Sequence, residues 1–167
     1  MFDSESSVKL IKQNENILVL RTFSKVFGLP SIRFGYIIGN SKIIRTLNTY
    51  RLSYESNMLA DKVVEYFIKN KKVVFDYINE VKKGKEYIKK GLSNLGLEVI
   101  GEKSNYLLIN FKNKKLLRKI LNRFNKTKIY VKSNYTGELK YSILITCGKI
   151  YTMKKVLKII KYELEKK

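Results

Sequence analysis

The stretch VLRTFSKVFGLPSIRFGYIIG, residues 19–39, sets the reading of the whole chain. Its first residues complete a β-rich run, NILVLRTF (16–23), which predicts a strand, and RFGYIIG (33–39) predicts a second one ending at Gly39-Asn40. Between them lies a polar middle. Lysine is abundant throughout the sequence, so Lys25 alone carries little information. Its setting carries more: Thr22 stands three residues before it, Gly28 follows, and Arg33 stands eight residues after it.

Composition limits what this stretch can belong to. At 167 residues, 44% of them hydrophobic, the chain suits one domain or one large piece of a bigger one, with enough apolar material for a core. Its apolar runs, such as YIIG and YSILITC, are strand-sized and too short to span a membrane. The opening MFDSESSVKLIKQNENI has no hydrophobic signal core, and a single cysteine permits no internal disulfide; both lead to the expectation of a cytoplasmic protein. Cys147, in ILITCG, reads as a buried, inert thiol. Histidine is absent, which excludes histidine-assisted serine or cysteine catalysis and the usual metal sites within this chain. No metal site is expected. Any chemistry must rest on lysine, carboxylate, tyrosine or a cofactor.

The formal charge of +21 raises nucleic acid as a partner. The lysines are spread from end to end on the polar positions of amphipathic segments, with no zinc-finger, helix-turn-helix or RNA-binding-sheet signature, so they read as a solvated surface. Most tyrosines and phenylalanines fall at apolar positions and read as core. Patterning predicts a helix over 41–52 with Ser41 as its N-cap, helical structure over 58–95 divided near 70–72, and strands at LEVIG and NYLLINF around a GEKS turn. A helix at 114–124, strands at KIYVK (128–132) and YSILIT (141–146), and a closing helix over 152–167 complete the order. The class is α/β, with a two-layer α+β lobe at the C-terminal end.

Thr22-Phe23-Ser24-Lys25, followed by Gly28 and Arg33, resembles the cofactor-lysine region of class I/II aminotransferases, the pyridoxal-phosphate enzymes of the aspartate-aminotransferase fold. The histidinol-phosphate-aminotransferase-like branch, in which a strand runs into TFSK, then FGL, then an arginine and GY, is the most similar. RLSYESNMLADKVVEYF resembles the segment entering the interdomain helix, and SNYLLINF, IYVKS and ILITCG resemble strands of the small domain. The resemblance implies the C-terminal part of a fold type I transferase: residues 1–56 from the end of the large cofactor domain, 57–95 the interdomain helical region, and 96–167 the small α+β domain. It implies pyridoxal 5'-phosphate as cofactor, Lys25 as the Schiff-base lysine and catalytic base, and Thr22, Ser24 and Arg33 as phosphate ligands. A hydroxyl and a planar guanidinium fork suit a phosphate dianion, and a lysine amine becomes reactive when partial burial and nearby positive charge disfavour its ammonium form. Gly28 and Gly35 let the backbone turn closely around such a group. Lys132 and Tyr54 are candidate substrate contacts. The implied partners are an amino donor, a 2-oxo acid acceptor, and a second copy or partner chain.

The departures from the family pattern are specific. The aspartate that pairs with the cofactor's ring nitrogen belongs upstream of Met1 by spacing, and Asp3 does not fit its position. Leu144 stands where the family carries a carboxylate-gripping arginine, and Lys132 where the histidinol-phosphate branch has another. Turnover is therefore expected to require the missing upstream half. The alternative is a non-catalytic remnant or a basic binding module for polyanions or nucleic acid.

Overall fold

A computed structural model describes residues 5–166, so Asp3 lies outside the described residues. The chain divides into two compact units, one ending at Asp76 and the other beginning at Tyr77, with the division inside a helix.

The first unit is built on an antiparallel hairpin. Strands β1 (Val19–Thr22) and β2 (Gly35–Ile38) pair from Val19 opposite Ile38 to Thr22 opposite Gly35. Helix α1 (Ser41–Asn48) follows, and its cap is Asn40 rather than Ser41: the Asn40 carboxamide accepts from the Lys42 amide at 2.9 Å. Helix α2 (Met58–Lys69) is capped in the same way by Asn57, which accepts from the Ala60 amide at 2.8 Å. The predicted break near 70–72 falls at Asn70, and α3 (Lys71–Asn94) starts directly after it. Val19, Phe23, Ala60, Val64 and Val74 are the buried apolar residues of this unit.

The second unit carries a three-stranded antiparallel sheet of β3 (Glu98–Ile100), β4 (Tyr106–Asn110) and β5 (Ser142–Thr146), in that spatial order. Strand alternation puts Leu107, Ile109, Ile143 and Ile145 on one face, where they are buried with Ile88 and Leu92 of α3. Leu117, Ile120 and Phe124 of α4 (Lys114–Lys126) and Met153, Val156 and Ile160 of α5 (Ile150–Glu165) complete the core. Each fully buried side chain of this size contributes about 1.5–3 kcal/mol. Lys85 of α3, 7% exposed, donates to the carbonyls of Glu102 (2.5 Å) and Ser104 (2.8 Å) and so fixes the GEKS turn between β3 and β4.

Three expectations are corrected. KIYVK is not a strand beyond a single bridge, in which Lys132 and Leu144 exchange backbone bonds of 3.2 and 2.8 Å. Ile129 and Val131 do turn towards the core, but Lys128 has a left-handed φ of 56°, so the backbone enters the segment out of line for a ladder. Tyrosines are not mainly core: Tyr50, Tyr54, Tyr106, Tyr130, Tyr151 and Tyr162 are exposed, and the buried aromatics are Phe23, Phe111 and Phe124. Tyr106, Tyr151 and Tyr162 lie on exposed faces of β4 and α5, whereas Tyr50, Tyr54 and Tyr130 lie in connections. Strands β1 to β4 and α1 also end earlier than patterning predicts, whereas β5 ends at Thr146 as read. Among the described residues, no helix is long and apolar enough to cross a membrane.

Candidate functional site

The loop joining β1 to β2 holds Thr22, Ser24, Lys25 and Arg33 at one end of the hairpin. Thr22 ends β1, and its hydroxyl oxygen accepts from the Ser24 amide at 3.1 Å. Its proton can go to Ser24 Oγ (2.9 Å) or to the Phe34 carbonyl (3.3 Å). The two hydroxyls are thus held side by side. The Phe23 amide donates to the same Phe34 carbonyl at 3.2 Å, which closes the base of the loop.

Inside the loop the chain turns sharply. The Gly28 amide donates to the Lys25 carbonyl at 3.1 Å, and Gly28 has φ 68°, a region open to glycine at little cost. Pro30 then starts a single 3-10 turn, Pro30–Ile32. Arg33 caps that turn with φ 53°, an uncommon conformation for a residue with a side chain, and its Nη1 donates to the Pro30 carbonyl at 3.1 Å. One donor is used, and the guanidinium has five. Beneath the loop, the buried Phe23 ring packs on Phe27, Phe34 and Tyr36 at centroid separations of 4.5, 5.6 and 6.0 Å. This aromatic support went unread in the sequence, although Phe23, Phe27, Phe34 and Tyr36 all lie inside the stretch that decided the fold. Gly35 has a packing reason of its own: a Cβ there would lie 2.6 Å from the Arg21 carbonyl oxygen on the paired strand.

Thr22, Lys25 and Arg33 are exposed, and residues 19–39 contain three cations and no carboxylate. This donor set suits a phosphate-bearing ligand: two neighbouring hydroxyls, a partly free guanidinium and an ammonium on one loop. Tyr54 is 95% exposed, so packing in a core is not its role. Lys132 belongs to the second unit and is exposed, with its Nζ 5.6 Å from the Tyr135 ring centroid. Its bridge partner Leu144 shares its sheet face, so the two side chains stand side by side. Cys147 is buried, and burial pushes its thiol up to about 11, with Lys85 opposing slightly; it is the inert thiol expected. No group of three or more potential metal ligands occurs among the described residues.

Residues 1–160 match the family model for aminotransferase class I and II. A histidinol-phosphate aminotransferase from Thermotoga neapolitana is 28% identical over 157 residues, which are 94% of this chain and 45% of the relative. Two solved structures share the fold. The histidinol-phosphate aminotransferase from Clostridium acetobutylicum superposes with a TM-score of 0.81 at 22% identity, covering 96% of this chain and 49% of that one. The enzyme of the same name from Sinorhizobium meliloti, solved in complex with pyridoxal-5'-phosphate, gives 0.81 at 15% identity, covering 95% and 44%. The chain spans less than half the length of these proteins. Its fold is the C-terminal part of a fold type I transferase, and the chain belongs to the class I and II aminotransferase family.

Proposed function

We propose that this chain is the C-terminal half of a pyridoxal-phosphate-dependent aminotransferase, which moves an amino group from an amino acid or amino-phosphate to a 2-oxo acid. The observation that carries this reading is the single loop holding Thr22, Ser24, Lys25 and Arg33 over an aromatic base, free of carboxylates. When bound, the cofactor supplies an aldehyde and an electron-withdrawing ring that takes up negative charge from the substrate's α-carbon. Lys25 would hold the aldehyde end and, once released, would carry at its Nζ the proton moved between the substrate's α-carbon and the cofactor's C4′. Thr22 and Ser24 donate hydroxyl protons to the phosphate, and Arg33 adds a guanidinium fork. Lys132 is the candidate contact for an anionic substrate group, without the planar fork of an arginine, and Tyr54 is a second candidate substrate contact.

On this reading residues 1–56 complete a cofactor domain, 57–95 bridge to the small domain and 96–167 form it. The upstream half supplies the ring-nitrogen carboxylate, and that half or a second copy covers the loop. The exposed Leu20 (71%), Tyr36 and Ile37 of the hairpin are apolar surface of the kind such a partner buries. The chain's single cysteine accords with a cytoplasmic location. The test is an absorbance titration with pyridoxal phosphate, followed by borohydride reduction and peptide mapping of the chain and its Arg33→Ala variant. An adduct confined to Lys25 that weakens sharply in the variant is the expected result. Adducts scattered over many lysines and indifferent to Arg33 would refute the assignment.

A further inference from the structure

We propose that the groove between α4 and α5 binds a run of consecutive phosphate groups, with Lys119, Arg123, Lys126 and Lys166 as its cationic contacts. The groove encloses about 390 Å³ and is lined by these four side chains with Asn122 and Glu163. Residues 119, 122, 123 and 126 fall on one stripe of α4, so their side chains follow each other at about 5.4 Å per turn of helix. An extended phosphodiester strand can follow a track of that pitch.

The groove gathers cations without matching carboxylates. Some lysines elsewhere are matched locally: Lys62 and Lys69 with Glu65, Lys72 with Asp76, Lys83 with Glu80, Lys161 with Glu165. Helix α4 contains no acidic residue, and the one carboxylate lining the groove, Glu163, is already taken by Arg123 Nε at 3.0 Å. Lys119 and Lys126 have no carboxylate partner among the described residues. Arg123 is fixed by its Glu163 bond and lies 4.6 Å from the Tyr162 ring centroid, while Lys166 lies 4.7 Å from the same centroid. The Nη edge of the guanidinium is thereby held in place beside an exposed aromatic ring. Favourable contact with helix C-termini explains part of this arrangement, since Arg123, Lys126 and Lys166 lie at the ends of α4 and α5. The two dipoles together are worth about one negative charge, so the groove stays roughly two charges positive after Glu163 is counted.

Anisotropy of a labelled twelve-nucleotide oligouridylate with the full chain, read across a salt series, tests the proposal, with inorganic tripolyphosphate as competitor. Lys119→Gln/Lys126→Gln is compared with Lys62→Gln/Lys69→Gln, which removes the same charge from a locally neutralised site. Two lost single-strand phosphate contacts should lower the salt slope by about 1.4 and weaken binding roughly 25-fold at 0.1 M salt, against a two- to three-fold change in the control. Competition by tripolyphosphate assigns a short oligophosphate; binding of the oligonucleotide alone assigns a phosphodiester backbone. Both support the groove. Equal losses in the two double variants, or no binding of either probe, would overturn it.

Discussion

Two glycines of α3 offer a paired test of how the second unit is packed. Gly84 faces the loop after β5: a Cβ there would overlap the Gly148 carbonyl oxygen and lie 3.1 Å from both its carbon and the Ile150 amide nitrogen. Gly91, on the same helix, would meet only the Leu157 side chain, with Cδ2 nearest and Cγ at 3.2 Å. Gly→Ala gains about 1 kcal/mol of helix propensity at either position. At Gly91 the leucine can change rotamer for about 0.5–1.5 kcal/mol, so Gly91→Ala comes out near neutral. At Gly84 the obstacle is backbone on the far side, and relief requires α3 or the 147–150 loop to move. Overpacking of that kind costs about 3 kcal/mol, the upper part of its range, leaving a net loss of about 2 kcal/mol. Guanidinium titration followed by circular dichroism should show that difference at constant m, and thermal melts should separate the variants by about 4–8 °C. Equal stability of Gly84→Ala and Gly91→Ala would refute the close backbone crossing on which this packing rests.

Three further outcomes follow from single residues. The Cys147 thiol, raised from 9.0 to about 11, should be about 100-fold less ionised than a free thiol at pH 8, and a disulfide reagent should label it only on unfolding. Because its folded value is raised, the associated stability is present below pH 9 and is lost as pH climbs through 11, by at most about 2.7 kcal/mol; Cys147→Ala should flatten that alkaline limb of a stability–pH curve. Lys85→Met leaves the Glu102 and Ser104 carbonyls without their buried donor and should cost about 2 kcal/mol, with hydrogen exchange accelerated first in residues 101–105. Asn57→Ala removes the acceptor for the Ala60 amide and should cost about 1 kcal/mol, measured as lost helicity and a lower unfolding midpoint.

What was legible in the sequence was what local pattern encodes. The β-rich ends of residues 19–39 became the paired strands, the break at Asn70 followed from its polar triplet, and Cys147 in an apolar run was buried. Thr22, Ser24, Lys25 and Arg33 could be read as sharing one connection because all four lie between the two β-rich runs, at the end of β1 and in the loop to β2. Burial across elements could not be read. Tyr54 and Tyr130 sit at apolar-looking positions, yet exposure depends on whether another layer lies over them, and sequence period does not encode that. Lys85 shows the reverse error: a lysine among many is expected in solvent, whereas this one is buried against two carbonyls seventeen and nineteen residues away. The left-handed backbone at Arg33 and Lys128 was also silent, because neither residue type advertises it.

The two units differ in how far each completes its own interior, and this difference bears on Lys25. Fifteen buried side chains form one cluster in the second unit, drawn from both helices, α3 and the sheet. Among its described residues the first unit buries five apolar side chains, and its hairpin leaves Leu20, Tyr36 and Ile37 exposed beside the candidate loop. Apolar surface of that kind on a strand pair is stabilised when another polypeptide covers it. On the proposed reading Lys25 needs the same cover for a different reason, since an amine that attacks an aldehyde does so as the free base and burial disfavours a charged form. A single event, the docking of a complementary chain on this hairpin, would therefore both bury the apolar strand face and lower the basicity of the lysine. Cofactor affinity on the proposed reading is thus coupled to association: the isolated chain should bind pyridoxal phosphate weakly, and a complementary half should raise that affinity with the hairpin's own stability. If affinity rose while the hairpin amides stayed unprotected, the two needs would be separate, and Lys25 would owe its reactivity to something other than cover.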